Sequence, residues 1–414
     1  MSRLMKDSGV EWLGDIPADW NTIKFKYLHT GLNTGEGIDK NYWTTDEEDI
    51  LFYTASMVPI RTNYKSFPDW KYTKKNDLLL ARNGTPYVYY PKEGACYTDH
   101  IIRAEIKESF NRKFIMYAIQ QSILSVVVES VSLATWSASL WNEQRIPFPP
   151  LDEQQRIANF LDNECARIDN VIEKTRASIE EYKKLKQSII TQAVTKGIRP
   201  DRTLKDSGIE WLGDIPADWE IIPIKYLCSY NDEVLQENTA LDFTFNYIEI
   251  GSVEFGRGII EMQRLRFANA PSRARRIVQE NDIIVSTVRT YLKAVAQIPH
   301  SDTPLIASTG FIVIRPKNIN PIFLKYAILS STIISKIESN SVGISYPAIN
   351  ASQVVRFKIP VPLLDEQKEI ANYLDEKTAA IDLLVAKKNQ LVTELESLKK
   401  SLIFEYVTGK KEVI

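Results

Sequence analysis

The chain has 414 residues, of which 44% are hydrophobic, 25% charged and 10% aromatic, which is typical of a globular protein with room for two or three domains. It has no apolar run long enough to span a membrane and no N-terminal signal sequence, so we predict a cytoplasmic protein. The formal net charge of −2 argues against a nonspecific polycation, and the lone cysteines Cys96, Cys165 and Cys228 lack the spacing of a metal site.

The first predicted element is a short segment that occurs twice. Residues 6–20 read KDSGVEWLGDIPADW and return at residues 205–219 as KDSGIEWLGDIPADW; we call these two segments the tags. A second repeat follows, because residues 151–169 return in similar form at residues 364–382. The chain is therefore predicted to be a tandem duplication of a unit of about 200 residues, made of a tag, a body and a long helix.

The first body, at about residues 21–150, is predicted to have an α/β framework. Residues 77–81 (DLLLA) predict a buried strand, and the Gly- and Pro-containing residues 82–86 predict a loop after it. A later helix is predicted around Phe114 and Tyr117. Basic and aromatic residues are interspersed between residues 61 and 82, which is compatible with a solvated face or with nucleic acid binding.

A long helix follows Pro149-Pro150. Asp152 with Gln155 predicts its N-cap, residues 151–196 contain no Gly or Pro, and Gly197 predicts its end. Apolar residues recur at a spacing close to 3.5, which predicts a coiled coil. A helix of about 45 residues is roughly 68 Å long.

The second copy repeats this order with different side chains in its body. Residues 282–286 (DIIVS) predict the matching buried strand, with a loop after it at residues 287–291. The body carries an arginine-rich stretch between residues 257 and 293, and arginine has the planar fork that suits phosphate and guanine. Residues 365–408 predict a second long helix, and we expect the two helices to pair antiparallel, with the units related by a pseudo-two-fold axis.

No catalytic constellation is predicted. Gly35 and Gly37 lack the third glycine and the strand–helix context of a dinucleotide-binding loop, and residues 148–151 (FPPL) are not the NPPY tetrapeptide of a base methyltransferase. Pro68-Asp69 with residues 105–107 (EIK) form a nuclease-like pattern that arises easily by chance in a charged chain.

Together these features resemble the specificity subunit of type I restriction-modification systems. The resemblance covers essentially the whole chain. It rests on residues 8–20 and 207–219, on the helix starts IPFPPLDEQ (146–154) and IPVPLLDEQ (359–367), and above all on the repeated order of tag, body and helix. Leu363 stands where the first copy has Pro150, a departure from the family's Pro-Pro that concerns the docking surface at most.

The resemblance implies an α+β fold, with two globular α/β target-recognition domains separated by a long antiparallel two-helix coiled coil. The expected domains are the first tag and recognition domain at 1–150, the central helix at 151–197, the repeated tag and second recognition domain at 198–362, and the C-terminal helix at 363–414. Each recognition domain is expected to read one half of a bipartite, asymmetric site in double-stranded DNA, while the helices fix the spacer.

The resemblance also implies the partners. Two modification subunits are expected to dock on the repeated regions, and restriction subunits to join the larger complex. The chain itself is expected to catalyse nothing and to hold no cofactor, since S-adenosylmethionine, ATP and Mg²⁺ belong to the partner subunits.

Arginine and lysine contact guanine or phosphate, asparagine contacts adenine, and hydroxyl groups contact either bases or phosphates. The predicted DNA-binding residues are Lys74, Lys75, Arg82, Asn83, Thr85, Tyr87, Ser137, Arg273, Arg275, Arg276, Arg289, Tyr291, Lys293, Ser345 and Tyr346. The predicted docking residues are Trp12, Leu13, Trp211, Leu212, Glu153, Gln154, Glu366 and Gln367, although for the two Trp-Leu pairs a structural role in closing each body is favoured over docking.

Two other classes of function stay open. A non-catalytic protein-interaction scaffold, with two modules on a coiled-coil rod, explains the duplication but not the arginine-rich stretch, and duplex DNA binding would distinguish it. A single-chain nuclease or methyltransferase is disfavoured by the missing motifs, and a methyl-transfer assay would decide it.

Overall fold

The computed structural model describes residues 3–127 and 135–413, and the chain divides into two compact units. The first comprises Met1–Thr175 and Gln390–Ile414, and the second comprises Arg176–Asn389. Each unit therefore contains one tag, one body and a part of each long helix. Within the described ranges, no helix is both long and apolar enough to cross a membrane.

Among its described residues, the first unit contains twelve short strands, two helices of its own and the start of a long one. The strands are β1 (Met5–Asp7), β2 (Asp15–Pro17), β3 (Asn21–Lys24), β4 (His29–Thr34), β5 (Trp43–Thr44), β6 (Ile50–Tyr53), β7 (Ile60–Thr62), β8 (Asp77–Ala81), β9 (Val88–Tyr89), β10 (Cys96–Tyr97), β11 (Ile101–Ile106) and β12 (Arg145–Phe148). The helices are α1 (Arg112–Val127), α2 (Ala138–Glu143) and the long α3 (Leu151–Lys196).

Strand β8 lies at the centre of the first body. The strand orders of the two larger sheets are β4-β11-β8-β9 and β10-β6-β7-β5. Alternate side chains of a strand point to opposite faces. Leu78 and Leu80 accordingly enter the core shared with α1, while Leu79 and Ala81 enter a second core. The strand is buried on both faces, as its continuous apolar run predicts.

The second unit follows the same plan. Its strands are β13 (Leu204–Asp206), β14 (Asp214–Pro216), β15 (Glu220–Pro223), β16 (Cys228–Tyr230), β17 (Thr244–Ile248), β18 (Val253–Glu254), β19 (Gly258–Ile259), β20 (Gln263–Arg266), β21 (Ala274–Val278), β22 (Ile283–Ser286), β23 (Val295–Gln297), β24 (Leu305–Ser308), β25 (Phe311–Pro316) and β26 (Lys358–Val361). Its helices are α4 (Pro321–Leu329), α5 (Ser331–Ser339), α6 (Ala351–Val354) and the long α7 (Leu364–Val407).

Strand β22 holds the place that β8 holds in the first unit. It lies in the order β16-β25-β22-β23, and a second sheet has the order β20-β17-β24-β21. Ile283 and Val285 face the core shared with α4, while Ile284 faces the other core. The predicted matching strands and later helices are thus confirmed in both bodies, and so is the α/β class.

The long helices pair antiparallel within each unit, as the heptad spacing predicts. In the first unit, Phe160 packs against Tyr406 with ring centroids 4.4 Å apart, and Lys399 Nζ lies 2.6 Å from Asp169 Oδ2. In the second unit, Lys186 Nζ lies 2.7 Å from the carboxylate of Asp382. In the first unit, residues 160 and 169 of α3 therefore contact residues 406 and 399 of α7, which is the order of an antiparallel pair.

Helix α3 begins two residues earlier than its predicted N-cap implies, and helix α7 begins one residue earlier than its predicted range. Helix α3 starts at Leu151, so Asp152 is the second helical residue and not the N-cap. The pair of prolines explains this start, because Gln154 N–H bonds to the carbonyl of Pro150 at 2.9 Å and its side chain bonds to that of Pro149 at 2.9 Å. Helix α7 ends at Val407.

A glycine follows each long helix and brings the helix end against a tag. Gly197 has φ 80° and Gly409 has φ 72°, a left-handed conformation that glycine adopts without strain. A Cβ on Gly409 would lie 2.5 Å from Pro17 and 3.0 Å from Trp20 of the first tag. The equivalent Gly197 faces Trp219 of the second tag.

Candidate nucleic-acid interface

Each tag is fastened to the start of a long helix by a buried carboxylate, which accepts a bond from the last tryptophan of the tag and pairs with an arginine just before the tag. In the first unit, Glu153 accepts bonds from Arg3 at 2.6 Å and from the indole N–H of Trp20 at 2.8 Å. Arg3 also bonds to Asp19, and this hydrogen bond lowers the pKa of the Asp19 carboxyl.

The second unit repeats the arrangement with different residue numbers. Glu366 pairs with Arg202 and accepts a bond from the indole N–H of Trp219 at 3.2 Å, and Arg202 also bonds to Asp218 at 2.5 Å. The hydrogen bond from Arg202 lowers the pKa of Asp218. The repeated sequence is therefore used first to close each unit on itself.

The predicted docking residues divide into buried and half-exposed groups. The carboxylates Glu153 and Glu366 and the amides Gln154 and Gln367 are only 1–8% exposed, and their partners lie within the same unit. This differs from the predicted docking role, because such buried side chains offer no surface to a partner subunit.

The two Trp-Leu pairs of the tags are split in the same way. Leu13 and Leu212 are buried, which supports their structural role. Trp12 and Trp211 are half-buried: the Trp12 indole donates to Arg145 O at 3.1 Å, and Lys336 lies over the Trp211 ring. Only the tryptophans of these pairs keep surface for another subunit.

The first candidate reading element is the loop that leaves β8, residues 82–87, which we call the first clasped loop. Arg82 N–H donates to His100 O at 2.8 Å, and Trp136 closes over the loop with its N–H on Arg82 O at 2.6 Å and its indole on Gly84 O at 2.7 Å. Asn83 bonds to the His100 ring at 2.9 Å. These bonds hold the side chains of Arg82 and Thr85 at the surface on a fixed backbone.

Trp136 also determines where the predicted Ser137 lies. Ser137 follows directly in the chain and caps α2, since its hydroxyl accepts from Leu140 N–H at 3.2 Å. Ser137 therefore lies next to the tryptophan that closes the first clasped loop. Tyr87, the last residue of that loop, packs on Tyr89. The contribution of Trp136 was not predicted from the sequence, because nothing in its neighbourhood distinguishes a clasp from a core tryptophan.

Lys74 and Lys75 lie away from this loop. They occupy the turn that precedes β8, where Lys74 N–H bonds to the Asp77 carboxylate at 2.7 Å, while the clasped loop follows the last residue of the same strand. A five-residue strand separates the two groups by roughly 16 Å along its axis. Both lysines are exposed, but the structure does not bring them together with Arg82.

The second clasped loop is residues 287–293, which leave β22. Thr287 N–H and hydroxyl both bond to Gly310 O, at 2.8 and 2.9 Å, and Ile349 N–H closes over Thr287 O at 2.9 Å. Thr290 bonds through its hydroxyl to Ser341 at 2.8 Å. The loop is thus held between the turn after β24 and residues 341–349.

The predicted residues in and beside the second clasped loop differ in their exposure and in their partners. Arg289 and Tyr291 are exposed, and the Arg289 guanidinium lies 5.3 Å from the ring centroid of the exposed Tyr346. Ser345 is exposed beside Tyr346. Lys293 instead forms an ion pair with Glu338 at 3.2 Å, which offsets its charge.

The arginines at the start of β21 reach the same region through one turn. Thr309 N–H donates to Arg273 O at 2.8 Å, and the neighbouring Gly310 is the residue that anchors Thr287. A Cβ on Gly310 would lie 2.6 Å from Ile250 and 3.0 Å from Val288, so the close approach requires glycine. Exposed Arg273 therefore lies near the second clasped loop.

Arg275 and Arg276 are half-buried in β21. Arg275 stacks over Phe267 at 5.1 Å and donates to Ala274 O. Burial lowers the pKa of the Arg276 guanidinium, and its buried Nε has no hydrogen-bond partner among the described residues.

The arginines of the candidate interface form no ion pair with a carboxylate in the described ranges, although the pKa of Asp99 is lowered by a hydrogen bond from Thr98 and also by the charge of Arg82. In the part of the chain that the structure describes, no ion pair involves Arg82, Arg273, Arg275, Arg276 or Arg289. Several structural arginines elsewhere are paired, as Arg315 is with Asp282 at 2.9 Å. An unpaired arginine keeps its positive charge and donors free for phosphate or guanine.

The two clasped loops occupy equivalent positions in the two units. In each loop, the backbone N–H of the first residue donates to the turn before the neighbouring strand. The carbonyl of the same residue accepts from the backbone N–H of the residue before the N-cap of a short helix. Two residues further on, Gly84 has φ 72° and Arg289 has φ 52°. The backbone framework is shared, and the side chain at this exposed, left-handed position changes from none to arginine.

Comparison with known proteins agrees with these observations. The family model described as the type I restriction modification DNA specificity domain matches residues 17–181 and again residues 216–393. The MjaVIII specificity subunit of Methanocaldococcus jannaschii, a type I restriction enzyme subunit, is 24% identical over 96% of this chain and 94% of its own length. The EcoBI specificity subunit of Escherichia coli is 22% identical over 83% of this chain and 75% of its own length.

A solved structure shows the same fold. A chain from a structural study of complex assembly and conformational transition in the type I R-M system superposes with a TM-score of 0.67 at 15% identity, covering 96% of this chain and 99% of that one. The family's specificity subunits are distinct from the methyltransferase and nuclease subunits. The chain therefore belongs to the specificity subunits of type I restriction-modification systems: it is a non-catalytic subunit that recognises DNA sequence, with DNA and the other subunits of such a system as its partners.

Proposed function

We propose that each unit reads one half of a bipartite, asymmetric site in double-stranded DNA through its own clasped loop. The observation that carries this proposal is the shared loop framework with divergent side chains. Arg82, Asn83 and Thr85 occupy one loop, and Arg289 with Tyr291 occupies the other. Loops fixed by the same bonds but carrying different donors suit two different half-sites.

We assign the reading domains to residues 1–150 and 198–362, and the helical regions to residues 151–197 and 363–414. The helical regions set the length of the unspecified spacer. Support comes from the antiparallel ion pairs Asp169–Lys399 and Lys186–Asp382, one in each unit, and from the uninterrupted course of both helices. A helix without Gly or Pro in its interior resists bending.

Two modification subunits dock on this chain, one on each tag region, and restriction subunits complete the complex in the cytoplasm. The half-buried Trp12 and Trp211 are the tag side chains from the predicted docking set that keep surface for this contact. Because the tags are nearly identical, an interface made on one is available on the other. S-adenosylmethionine, ATP and Mg²⁺ belong to the partner subunits.

The experiment has two stages. The chain is expressed with its modification subunits, and methylated positions are mapped across the host genome to give the site. Binding of the purified complex to duplexes with this site and with shuffled sequence is then measured by fluorescence anisotropy, and native mass spectrometry gives the stoichiometry.

We expect a two-part motif with an unspecified spacer, a clear preference for it over shuffled duplex, and two modification subunits per chain. Equal affinity for both duplexes would contradict sequence reading and favour a protein scaffold. One modification subunit per chain would contradict docking on both tags while leaving DNA reading intact.

A further inference from the structure

An exposed hairpin lies beside the second clasped loop. Residues 342–348 form this exposed hairpin, which is closed by two backbone bonds between Val342 and Ala348, at 2.9 and 3.0 Å. Gly343 has φ 113°, and a Cβ there would lie 3.1 Å from Tyr346 O, so this position favours glycine. The hairpin is therefore closed at its base by backbone bonds and turns at a glycine.

The tip presents aliphatic carbon to water. Ile344 is 102% exposed and Val342 is 80% exposed, and neither belongs to a hydrophobic core of the second unit. A scattered exposed aliphatic residue needs no explanation by itself. A fully exposed isoleucine at the tip of a closed hairpin, between Gly343 and Ser345, has no packing contact with a core of the second unit and is available for contact.

The position of the hairpin gives that contact its chemistry. Ala348 pairs with Val288, and Thr290 N–H bonds to Pro347 O at 3.4 Å, so the hairpin is joined to the second clasped loop by backbone. Tyr346, two residues from Ile344, lies under the unpaired Arg289 guanidinium. An apolar tip thus stands beside a cation that suits guanine or phosphate.

DNA offers one apolar group at the edge of its bases, the 5-methyl group of thymine in the major groove. We propose that Ile344 contacts the methyl group of a thymine in the half-site read by the second unit, close to the base or phosphate that Arg289 contacts. This inference rests on the proposed function of the second unit. The unpaired Arg289 beside the tip favours DNA over an apolar protein surface as the occupant, since a protein partner of that kind would leave its charge unmatched.

Uracil provides a direct test, because replacing thymine by uracil removes only the methyl group and keeps the base pair. The complex with modification subunits is titrated with duplexes in which each thymine of the second half-site is replaced in turn by uracil. We expect wild type to lose about three- to fivefold in affinity at one position, the effect of one buried methyl group. Ile344→Ala should bind the thymine duplex with a similar loss and show no further loss with uracil at that position.

Leu241→Ala is the matched control. Leu241 is also an exposed aliphatic residue of the second unit, 69% exposed. It precedes β17, whereas Ile250, which approaches Gly310 beside the second clasped loop, follows that strand. Leu241 therefore lies at the other end of β17 from Ile250. This variant should keep the wild-type response to uracil. Since Ile344 has no packing contacts to lose, its substitution is expected to leave folding unchanged.

Three outcomes would overturn the inference while sequence reading stands: a second half-site without thymine, a wild-type complex indifferent to uracil at every position, or an Ile344→Ala complex that keeps the wild-type response. A wild-type complex that does not prefer its site over shuffled duplex would overturn the proposed function and this inference with it.

Discussion

Arg289 combines a strained backbone with a free charge, so its replacement by glycine should separate stability from DNA reading. Its φ of 52° lies in the left-handed region, which costs a residue with a Cβ about 1–2 kcal/mol. Glycine removes that cost but adds about 0.5–1 kcal/mol of chain entropy in the unfolded state. Loss of the stacking on Tyr346 adds about 0.5–1 kcal/mol more.

These terms nearly cancel for Arg289→Gly, whose free energy of unfolding should stay within about 1 kcal/mol of wild type. Arg289→Ala keeps the strain and loses the stacking, so it should be less stable than the glycine variant by about 0.5–1 kcal/mol. Both variants should lose about 1–3 kcal/mol of affinity for the specific duplex and relax one position of one half-site. Gly84, at the equivalent position of the first loop, shows that the framework accepts glycine there.

Stability is measured by hydrogen exchange of peptides that cover β22 and β23, and affinity by anisotropy on specific and shuffled duplexes. A glycine variant less stable than the alanine variant would refute the strain assignment. Equal loss of affinity on both duplexes would reassign Arg289 from a base contact to a phosphate contact.

Four further outcomes are expected. Lys74→Ala with Lys75→Ala should weaken binding to specific and shuffled duplexes alike and reduce the salt slope by about one unit per lost phosphate contact, in a salt titration. Removing one heptad in register from both long helices should shorten the spacer of the methylated motif by about three base pairs, since seven residues span about 10 Å. An unchanged spacer would contradict the proposal that the helices set its length. The hydrogen bond from Arg3 lowers the pKa of Asp19, so this contact stabilises the first tag above pH 3.8 and is lost as the pH falls through the lower pKa of the folded state. Hydrogen exchange at β1 and β2 should therefore rise as the pH falls through that value. Asp19→Asn should make this exchange less dependent on pH. Gly409→Ala should destabilise the first unit by about 2–4 kcal/mol in urea unfolding, from the left-handed φ and the close approach to Pro17.

The sequence predicts best what depends on periodicity and repetition. The long helices follow from apolar spacing, and their limits differ from prediction by at most two residues because proline and glycine mark them. Strand β8 follows from a continuous apolar run, since a strand buried on both faces needs no alternation. These signals are local, so a single sequence contains them.

The site depends on contacts between distant residues, which a single sequence does not reveal. Clasping of Arg82 by Trp136 joins residues 54 positions apart, and anchoring of Thr287 by Gly310 joins residues 23 positions apart. The grouping of Lys74 and Lys75 with the first clasped loop relied on nearness in sequence. A buried strand separates them, and strands place their two ends on opposite sides of a body.

Glu153 and Glu366 are each buried and bonded to an arginine and a tryptophan of their own unit, which explains why the tags could stay alike while the loops diverged. A carboxylate shared by an arginine and a tryptophan indole leaves few alternatives, because removing any partner strands a buried polar group. A loop held by backbone bonds imposes no such limit on its exposed side chains: Gly84 and Arg289 occupy equivalent positions on the same framework. Under the proposed function, specificity therefore changes by single substitutions in the loops at little cost in stability, whereas the tags, which also carry the proposed docking surface, are constrained by their own packing.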